Sequence, residues 1–298
     1  MIDTFLHSFS TSPMQVKSVK VLRIVIGLVF VIRIATELPF ASYFWGPNGI
    51  GQGSAVVYFG SALGPILDKV FQADASVVVL LIANLALAIL LIAGKSHRLC
   101  CALLFISSTM FQTRLAEIQD GGDNLTSLLL IYLIFTTNSG SSRYLWLRGV
   151  KIWVHNLAVM TIGFQIAILY MTSGFLKAQG LDWYSGIALY NVSQVDWVSL
   201  PSIRPIFNSP LVSTLACYVT IFFQCTFPVA IFSRLKLVWL AIGIIFHIGI
   251  AIYMGLVPFA LIMVGAELFF IIDSEWNFLA RRFKLMARSL PFRLKEAT

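Results

Sequence analysis

Long apolar runs separated by short polar segments make up most of this chain. Eight such runs lie at about 19–37, 75–94, 98–116, 123–138, 152–176, 211–232, 236–254 and 256–273. A helix needs about 20 apolar residues to cross a bilayer, and continuous runs favour helices over the alternating pattern of membrane strands. The pattern predicts an all-α integral membrane protein, a bundle of about eight transmembrane helices in which the fourth is short.

The composition agrees with a membrane protein. Apolar residues make up 58% of the chain and charged residues only 11%, whereas soluble domains carry about 25% charged residues. The four cysteines lie in apolar runs without the spacing of a metal site, so we expect buried thiols and no metal. The net charge of +8 does not require a nucleic-acid partner, because cytoplasmic loops of membrane proteins accumulate Lys and Arg.

The distribution of positive charge predicts the topology. With eight spans, most of the 21 Lys and Arg residues fall on the side of both termini, which places the termini in the cytoplasm and the chain in the cell membrane. We expect one polytopic membrane domain over 1–275, with outer cap segments at 38–74 and 177–210. Residues 276–298 form a basic tail that reads as an interfacial amphipathic helix, with Trp276, Phe283 and Met286 on its apolar face.

Ionisable residues at membrane depth are costly and therefore candidates for function. Arg33 and Glu37 lie four residues apart on one helix face, as a structural ion pair or as part of a substrate site. In QTRLAEIQDGGDNLTS, Arg114 and Glu117 have helical spacing, and Asp123 follows a glycine pair. That GGD sequence is typical of a tight turn and a helix N-cap, although the number of polar groups exceeds what a turn requires.

The stretch QIAILYMTSGFLKAQGLDWYSG contains Gln165, Lys177, Asp182 and Trp183. A lysine in an apolar pocket has its neutral amine favoured by desolvation and can act as a general base. The structural alternative is a lysine that extends its ammonium to the membrane interface beside aromatic residues.

His247 and Glu267 lie inside two consecutive apolar runs, with His247 placed in the outer half and Glu267 nearer the inner half. A hydrogen bond between helices is the structural alternative, and Gly243 permits close helix approach. We take Lys177 and His247 as candidate catalytic residues in a polar cavity that opens outward. The candidate substrate-binding residues are Arg33, Glu37, Arg114, Glu117, Asp123, Gln165, Asp182, Trp183 and Glu267.

Several segments in order resemble the HTTM family of bacterial membrane proteins over roughly 20–272: RIVIGLVFVIRIATELPF, WGPNGI, the GGDN turn, QIAILYMTSGFLKAQGLDWYSG and HIGIAIYMGLVPF. This family is related to the membrane domain of vitamin K-dependent gamma-carboxylase, and it includes the sporulation-delaying protein B group, which helps mature an exported peptide toxin. In the carboxylases, a lysine before a Trp-containing turn deprotonates reduced vitamin K in an oxygen-dependent reaction. Lys177 is at the matching position, within one residue in its spacing to Trp183. The sequence departs from the carboxylases in lacking their histidine near the GGDN turn and their large extramembrane domain.

The resemblance implies an enzyme or maturation factor that acts on an exported peptide together with a quinol or lipid, with Lys177 as base and a reduced quinone of the vitamin K type as cofactor. A small accessory subunit is compatible with this reading and with its alternative. The alternative is a non-catalytic membrane protein, either a scaffold, an immunity protein or a transporter. The first reading requires Lys177 itself, whereas the second tolerates Lys177→Arg. The lipid bilayer surrounds the protein in both.

Overall fold

The computed structural model describes residues 9–137, 145–196 and 198–289, and every regular element among them is helical. The long helices that form the bundle are α1 (Val16–Glu37), α4 (Asp74–Ile92), α5 (His97–Arg114), α6 (Gly121–Ile134), α7 (Leu145–Gln179), α11 (Pro210–Ala230), α12 (Lys236–Met254) and α13 (Val257–Leu268). Shorter α-helices are α2 (Ala41–Trp45), α3 (Val56–Asp68), α8 (Leu181–Tyr184), α9 (Ala188–Ser193) and α10 (Arg204–Phe207), and α14 (Asp273–Ser289) follows the bundle. Single 3₁₀ turns occupy Leu38–Phe40, Lys69–Gln72, Ala116–Ile118 and Pro201–Ile203.

Each of the eight apolar runs forms a helix, but the prediction of eight full spans is not supported. Within the described ranges, four helices are long and apolar enough to cross a membrane: Asp74–Ile92, Leu147–Gln179, Pro210–Ala230 and Lys236–Met254. A fifth is reached only if the bent pair Val257–Leu268 and Asp273–Arg282 counts as one broken span. The protein is therefore a helical membrane protein with four or five candidate spans.

Three of the remaining four helices fall short for identifiable physical reasons. Helix α6 has 14 residues, about 21 Å at 1.5 Å per residue, which is less than the hydrocarbon core of a bilayer. Helix α13 has 12 residues, and the chain then turns through 104° into α14. Helix α1 has 22 residues but contains two lysines, two arginines and a glutamate, which is more charge than a helix crossing the hydrocarbon core usually carries. In the sequence, the apolar runs continued from the short helices into the adjoining turns, so the runs were counted as spans.

The bundle has two ends, and hydrogen bonds between distant elements show which helix termini lie at each. At one end, His97 Nε2 lies 3.1 Å from the Thr136 carbonyl, and His155 Nε2 lies 2.8 Å from the Met14 carbonyl. At the other end, which we call the cap end, Arg114 donates to the carbonyls of Gly46 and Gly53, both at 3.3 Å. The cap end carries the short helices of 38–74 and 181–207, together with the C-terminal ends of α1, α5, α7 and α12.

Helix α14 is attached to the end opposite the cap. The Asp273 carboxylate accepts hydrogen bonds from the backbone N–H groups of Val16 and Lys17, at 3.1 and 2.9 Å. Lys236 forms an ion pair with Glu275 at 2.7 Å. These contacts fix the start of α14 against α1 and α12. The predicted apolar positions Phe283 and Met286 lie outside the described side chains, as does the segment 290–298.

Candidate functional site

A cavity of about 320 Å³ lies beneath the cap end, and four side chains that carry chemistry line it: Lys177, Trp183, Gln224 and His247. Lys177 comes from the last turn of α7, Trp183 from α8 of the cap, Gln224 from α11 and His247 from α12. We call this space the Lys177 cavity. The structure thus brings both candidate catalytic residues, Lys177 and His247, to one place, with Trp183 beside them.

Lys177 is half-buried, and within the described part of the chain it forms no ion pair or hydrogen bond. Its Nζ lies 5.2 Å from the centre of the Trp183 ring, within the range of a cation–π contact. Apart from Lys177 and the three side chains named with it above, the cavity is lined mostly by apolar residues such as Leu169, Phe259 and Met263. An amine in such surroundings lacks the carboxylate that would hold it in a purely structural role, so it is available to a ligand.

Gln224 is the second group with unused hydrogen-bonding capacity. Its side chain is 7% exposed, and its Oε1 has no partner among the described residues. Because an amide group can be turned to present either its oxygen or its NH₂, Gln224 can meet a ligand acceptor or a ligand donor. A buried amide without a partner is costly, so a ligand that satisfies it gains affinity.

His247 is oriented by a buried carboxylate. Its Nδ1 lies 2.9 Å from the Gly243 carbonyl and 3.0 Å from Glu267 Oε1. The carbonyl can only accept, so Nδ1 carries a proton and donates, which leaves Nε2 as the ring nitrogen free for a cavity ligand. Glu267 Oε1 also accepts a 2.6 Å hydrogen bond from Tyr170, and the side chains of all three residues are buried.

This contact corrects the expectation that His247 and Glu267 lie at different depths of the membrane. The two helices cross closely, because α12 has a glycine at the crossing point. A Cβ placed on Gly243 would lie 2.0 Å from Glu267 Oε1 and 2.9 Å from Phe223 Cζ. The predicted close approach at Gly243 is confirmed, and it is what allows the carboxylate to reach the imidazole.

A second polar group surrounds Arg33. Its Nε lies 2.7 Å from Glu37 Oε1, and its Nη1 contacts Asp123 Oδ1. Asp120 caps α6, since its Oδ1 accepts from the N–H groups of Gly122 at 2.7 Å and Asp123 at 3.1 Å. A capped helix start at the GGD sequence is confirmed, but the capping residue is Asp120, which precedes the two glycines. Burial raises the pKa of the Asp120 carboxyl, and the nearby Asp123 raises it further, against the lowering effect of the capping hydrogen bonds.

The Arg33 group lines a separate cavity of about 220 Å³. Leu256 and Phe259 line both this cavity and the Lys177 cavity, so the two are neighbours at the cap end. The sequence suggested one polar cavity, whereas the structure divides the candidate residues between two. Arg33 is already paired with two carboxylates, which favours a structural role for it.

Four predicted substrate-binding residues lie elsewhere. Arg114 binds the carbonyls of the cap instead of Glu117, and Glu117 is exposed on a 3₁₀ turn, because α5 ends at Arg114 and the helical spacing is lost. Asp182 is exposed and accepts a 3.3 Å hydrogen bond from Asn191. Gln165 lies between α6 and α7, with the Tyr132 hydroxyl 3.5 Å from its Oε1.

Tyr170 is a site residue that the sequence analysis missed. A signal was present, because Tyr belongs at membrane interfaces and a Tyr inside a span needs a hydrogen-bond partner. Tyr170 lies inside the span that ends at Gln179, and its ring stacks on Phe227 at 3.8 Å between centroids. Its partner Glu267 lies 97 positions away in the chain, which no local pattern reveals.

Metal binding was not expected, and the described residues contain no group of three His, Cys, Asp or Glu side chains that could hold a metal ion. An apolar organic ligand suits the Lys177 cavity better. Its walls are largely apolar, and its polar groups, led by the unpaired Lys177 amine and Gln224 amide, are few and convergent.

The all-helical bundle, its four or five candidate spans and its buried polar cavities define a multi-pass membrane protein. Two curated proteins of Bacillus subtilis (strain 168) are similar to it. The uncharacterized protein YitO is 26% identical over 211 residues, which cover 65% of this chain and 67% of YitO. The sporulation-delaying protein SdpB is 27% identical over 172 residues, which cover 53% of each chain. The chain thus spans about two thirds of the first relative and about half of the second.

No family model matches the chain, and no solved structure matches it. The resemblance to the HTTM family therefore stays a prediction. The similarity to SdpB supports the narrower part of that prediction, a likeness to the sporulation-delaying protein B group.

Proposed function

We propose that this membrane protein takes part in the maturation of an exported peptide, and that it does so from the Lys177 cavity with the Lys177 amine as proton acceptor. The observation that carries this proposal is the unpaired Lys177 side chain in a mostly apolar cavity that it shares with His247. The similarity to the sporulation-delaying protein SdpB supports the resemblance to the sporulation-delaying protein B group, from which the exported peptide is inferred. With both termini in the cytoplasm, the cap end and its cavity face outward, where an exported peptide is found.

The residues of the cavity have separate tasks in this proposal. Lys177 accepts a proton at Nζ, and the Trp183 ring, 5.2 Å away, stabilises the ammonium that results. His247 presents Nε2 to the substrate, because Gly243 and Glu267 hold its Nδ1–H. Gln224 orients the substrate through its free amide.

A reduced quinone of the vitamin K type fits the apolar walls and the unpaired amine, and when bound it would supply a weakly acidic hydroxyl that reacts with oxygen once deprotonated. Lys177 is the residue that would take that proton. A small accessory subunit belongs to the same proposal, as a partner that presents the peptide.

The test is oxygen-dependent oxidation of a reduced vitamin K-type quinone by the purified protein, beside Lys177→Ala and Lys177→Arg. We expect turnover by the parent protein and loss in both variants, because an arginine cannot act as a base at neutral pH. Retained thermal unfolding midpoints show that the variants are folded. Absence of turnover by a folded parent protein would refute the quinone chemistry.

A non-catalytic scaffold, immunity protein or transporter is the second candidate, and one observation favours it. Arg33 and Glu267 are already engaged by side chains of the protein itself, so much of the buried polar chemistry is structural. This candidate predicts that Lys177→Arg keeps the biological activity, because only the positive charge is needed.

A further inference from the structure

A second chamber of about 290 Å³ adjoins the Lys177 cavity, and we call it the apolar chamber. It lies between α11 and α12 beneath the cap helices α9 and α10. The two spaces share wall residues, among them Val192, Thr220 and Ile250, so they are adjacent, and we call the two together the hollow. Their polar and apolar linings are segregated: the amine, imidazole and amide lie in the first, and nearly all of the second is hydrocarbon or aromatic.

The apolar chamber is flanked by side chains on the membrane-facing surface. Val219 of α11 is 60% exposed and Ile245 of α12 is 70% exposed, and both line the chamber. Both helices are candidate membrane spans, so their exposed apolar faces meet lipid chains. A ligand with a hydrocarbon tail can therefore enter sideways from the bilayer between α11 and α12.

The charged side chains that line the two chambers determine which polar group of a ligand can bind there. Among the described residues that line the two chambers, Lys177 is the only Lys, Arg, Asp or Glu. Glu267 lies behind His247 and already accepts from Tyr170 and His247. The hollow therefore offers one unpaired amine, which is positively charged once it takes a proton, one free amide on Gln224, and a single apolar extension.

We propose that the two chambers form one binding site for a single-chain acidic amphiphile, a long-chain fatty acid. Its carboxylate pairs with Lys177 Nζ and accepts from the Gln224 NH₂, and its chain fills the apolar chamber. This inference goes beyond the proposed function, because it requires neither a peptide nor proton transfer. A bound carboxylate engages the Lys177 amine, so the fatty acid competes with any substrate that Lys177 would deprotonate.

The experiment measures binding of radiolabelled palmitate to the full chain purified in detergent. The informative variant is Gly249→Phe, because Gly249 lines the apolar chamber and a Cβ at this position meets no atom within 4 Å. We expect its ring to occupy part of the chamber, because the first side-chain atom has free space and Gly249 is a wall residue. The matched control is Gly149→Phe, a helical glycine of α7 whose Cβ also meets no atom within 4 Å and which lines neither chamber. Lys177→Gln removes the charge.

We expect palmitate to bind the parent protein and the Gly149→Phe control equally. Loss of a charge-assisted contact should weaken binding to Lys177→Gln by about tenfold or more, and Gly249→Phe should weaken it at least as much. Unlabelled palmitate should displace the probe, whereas hexadecanol should not. Unchanged binding in Gly249→Phe, or equal displacement by hexadecanol, would overturn the inference.

Two further competitors separate the fatty acid from other occupants. Displacement by phosphatidylglycerol at the same concentration would contradict a single-chain site. Displacement by a neutral isoprenoid quinone as effective as palmitate would reassign the apolar chamber to the quinone. Failure of the parent protein to bind palmitate refutes this inference alone, since the proposed function is judged by quinone turnover.

Discussion

Removing the Tyr170 hydroxyl tests how the buried carboxylate of Glu267 is held. In the structure, the hydroxyl donates to Glu267 Oε1 at 2.6 Å, and neither residue has exposed surface. A hydrogen bond to a charged group contributes about 1.5–3 kcal/mol, but hydrogen bonds between membrane helices average about 0.6 and reach about 1.7 kcal/mol. Because this contact is short and fully buried, we expect Tyr170→Phe to lower the free energy of unfolding by about 1.5 kcal/mol.

The matched control is Tyr132→Phe. The Tyr132 hydroxyl lies 3.5 Å from Gln165 Oε1, at the limit of a hydrogen bond, so its removal should cost less than about 0.5 kcal/mol. Reversible unfolding by sodium dodecyl sulfate in mixed micelles measures both variants under the same conditions. Equal losses in the two variants, or a loss below about 0.5 kcal/mol for Tyr170→Phe, would refute the reasoning.

Three other substitutions test the packing and charge of the site. Gly243→Ala places a Cβ 2.0 Å from Glu267 Oε1 and should destabilise the protein by about 1–3 kcal/mol, whereas Gly149→Ala, in open space, should be neutral or slightly stabilising. Arg33→Met leaves two half-buried carboxylates without their cation and should cost about 2 kcal/mol in the same unfolding assay, with a smaller loss for Arg33→Lys. Burial raises the pKa of the Asp120 carboxyl, so the folded state binds that proton more tightly than the unfolded chain, and the associated stability is lost as the pH rises through the raised pKa. Asp120→Asn keeps a capping oxygen and should remove this part of the pH dependence of the unfolding midpoint; an unchanged pH profile would contradict the assignment.

The sequence was sufficient for features that depend on neighbouring residues. Each apolar run formed a helix, and the spacing of Arg33 and Glu37 produced their ion pair. The GGD sequence indicated a capped helix start in the same way, although the capping residue, Asp120, lies before the glycines. Span number was overestimated because hydropathy does not register where a helix breaks, as after α13.

The parts of the site that sequence reasoning did not reach depend on how helices cross. Tyr170, His247 and Glu267 come from three helices, and their contact requires the close approach at Gly243. Arg114 was expected beside Glu117, but backbone carbonyls of the cap provide its partners. Carbonyl partners have no sequence signature, because every residue carries one.

Cysteine labelling in intact cells tests most directly whether the Lys177 cavity opens on the outer side of the membrane, as the proposed function requires. In a background without the four native cysteines, Lys177→Cys is compared with Arg234→Cys, an exposed position between α11 and α12 at the end opposite the cap. A membrane-impermeant maleimide should modify position 177 in intact cells and position 234 only after permeabilisation. The reverse pattern would place the cavity in the cytoplasm and contradict a role on an exported peptide.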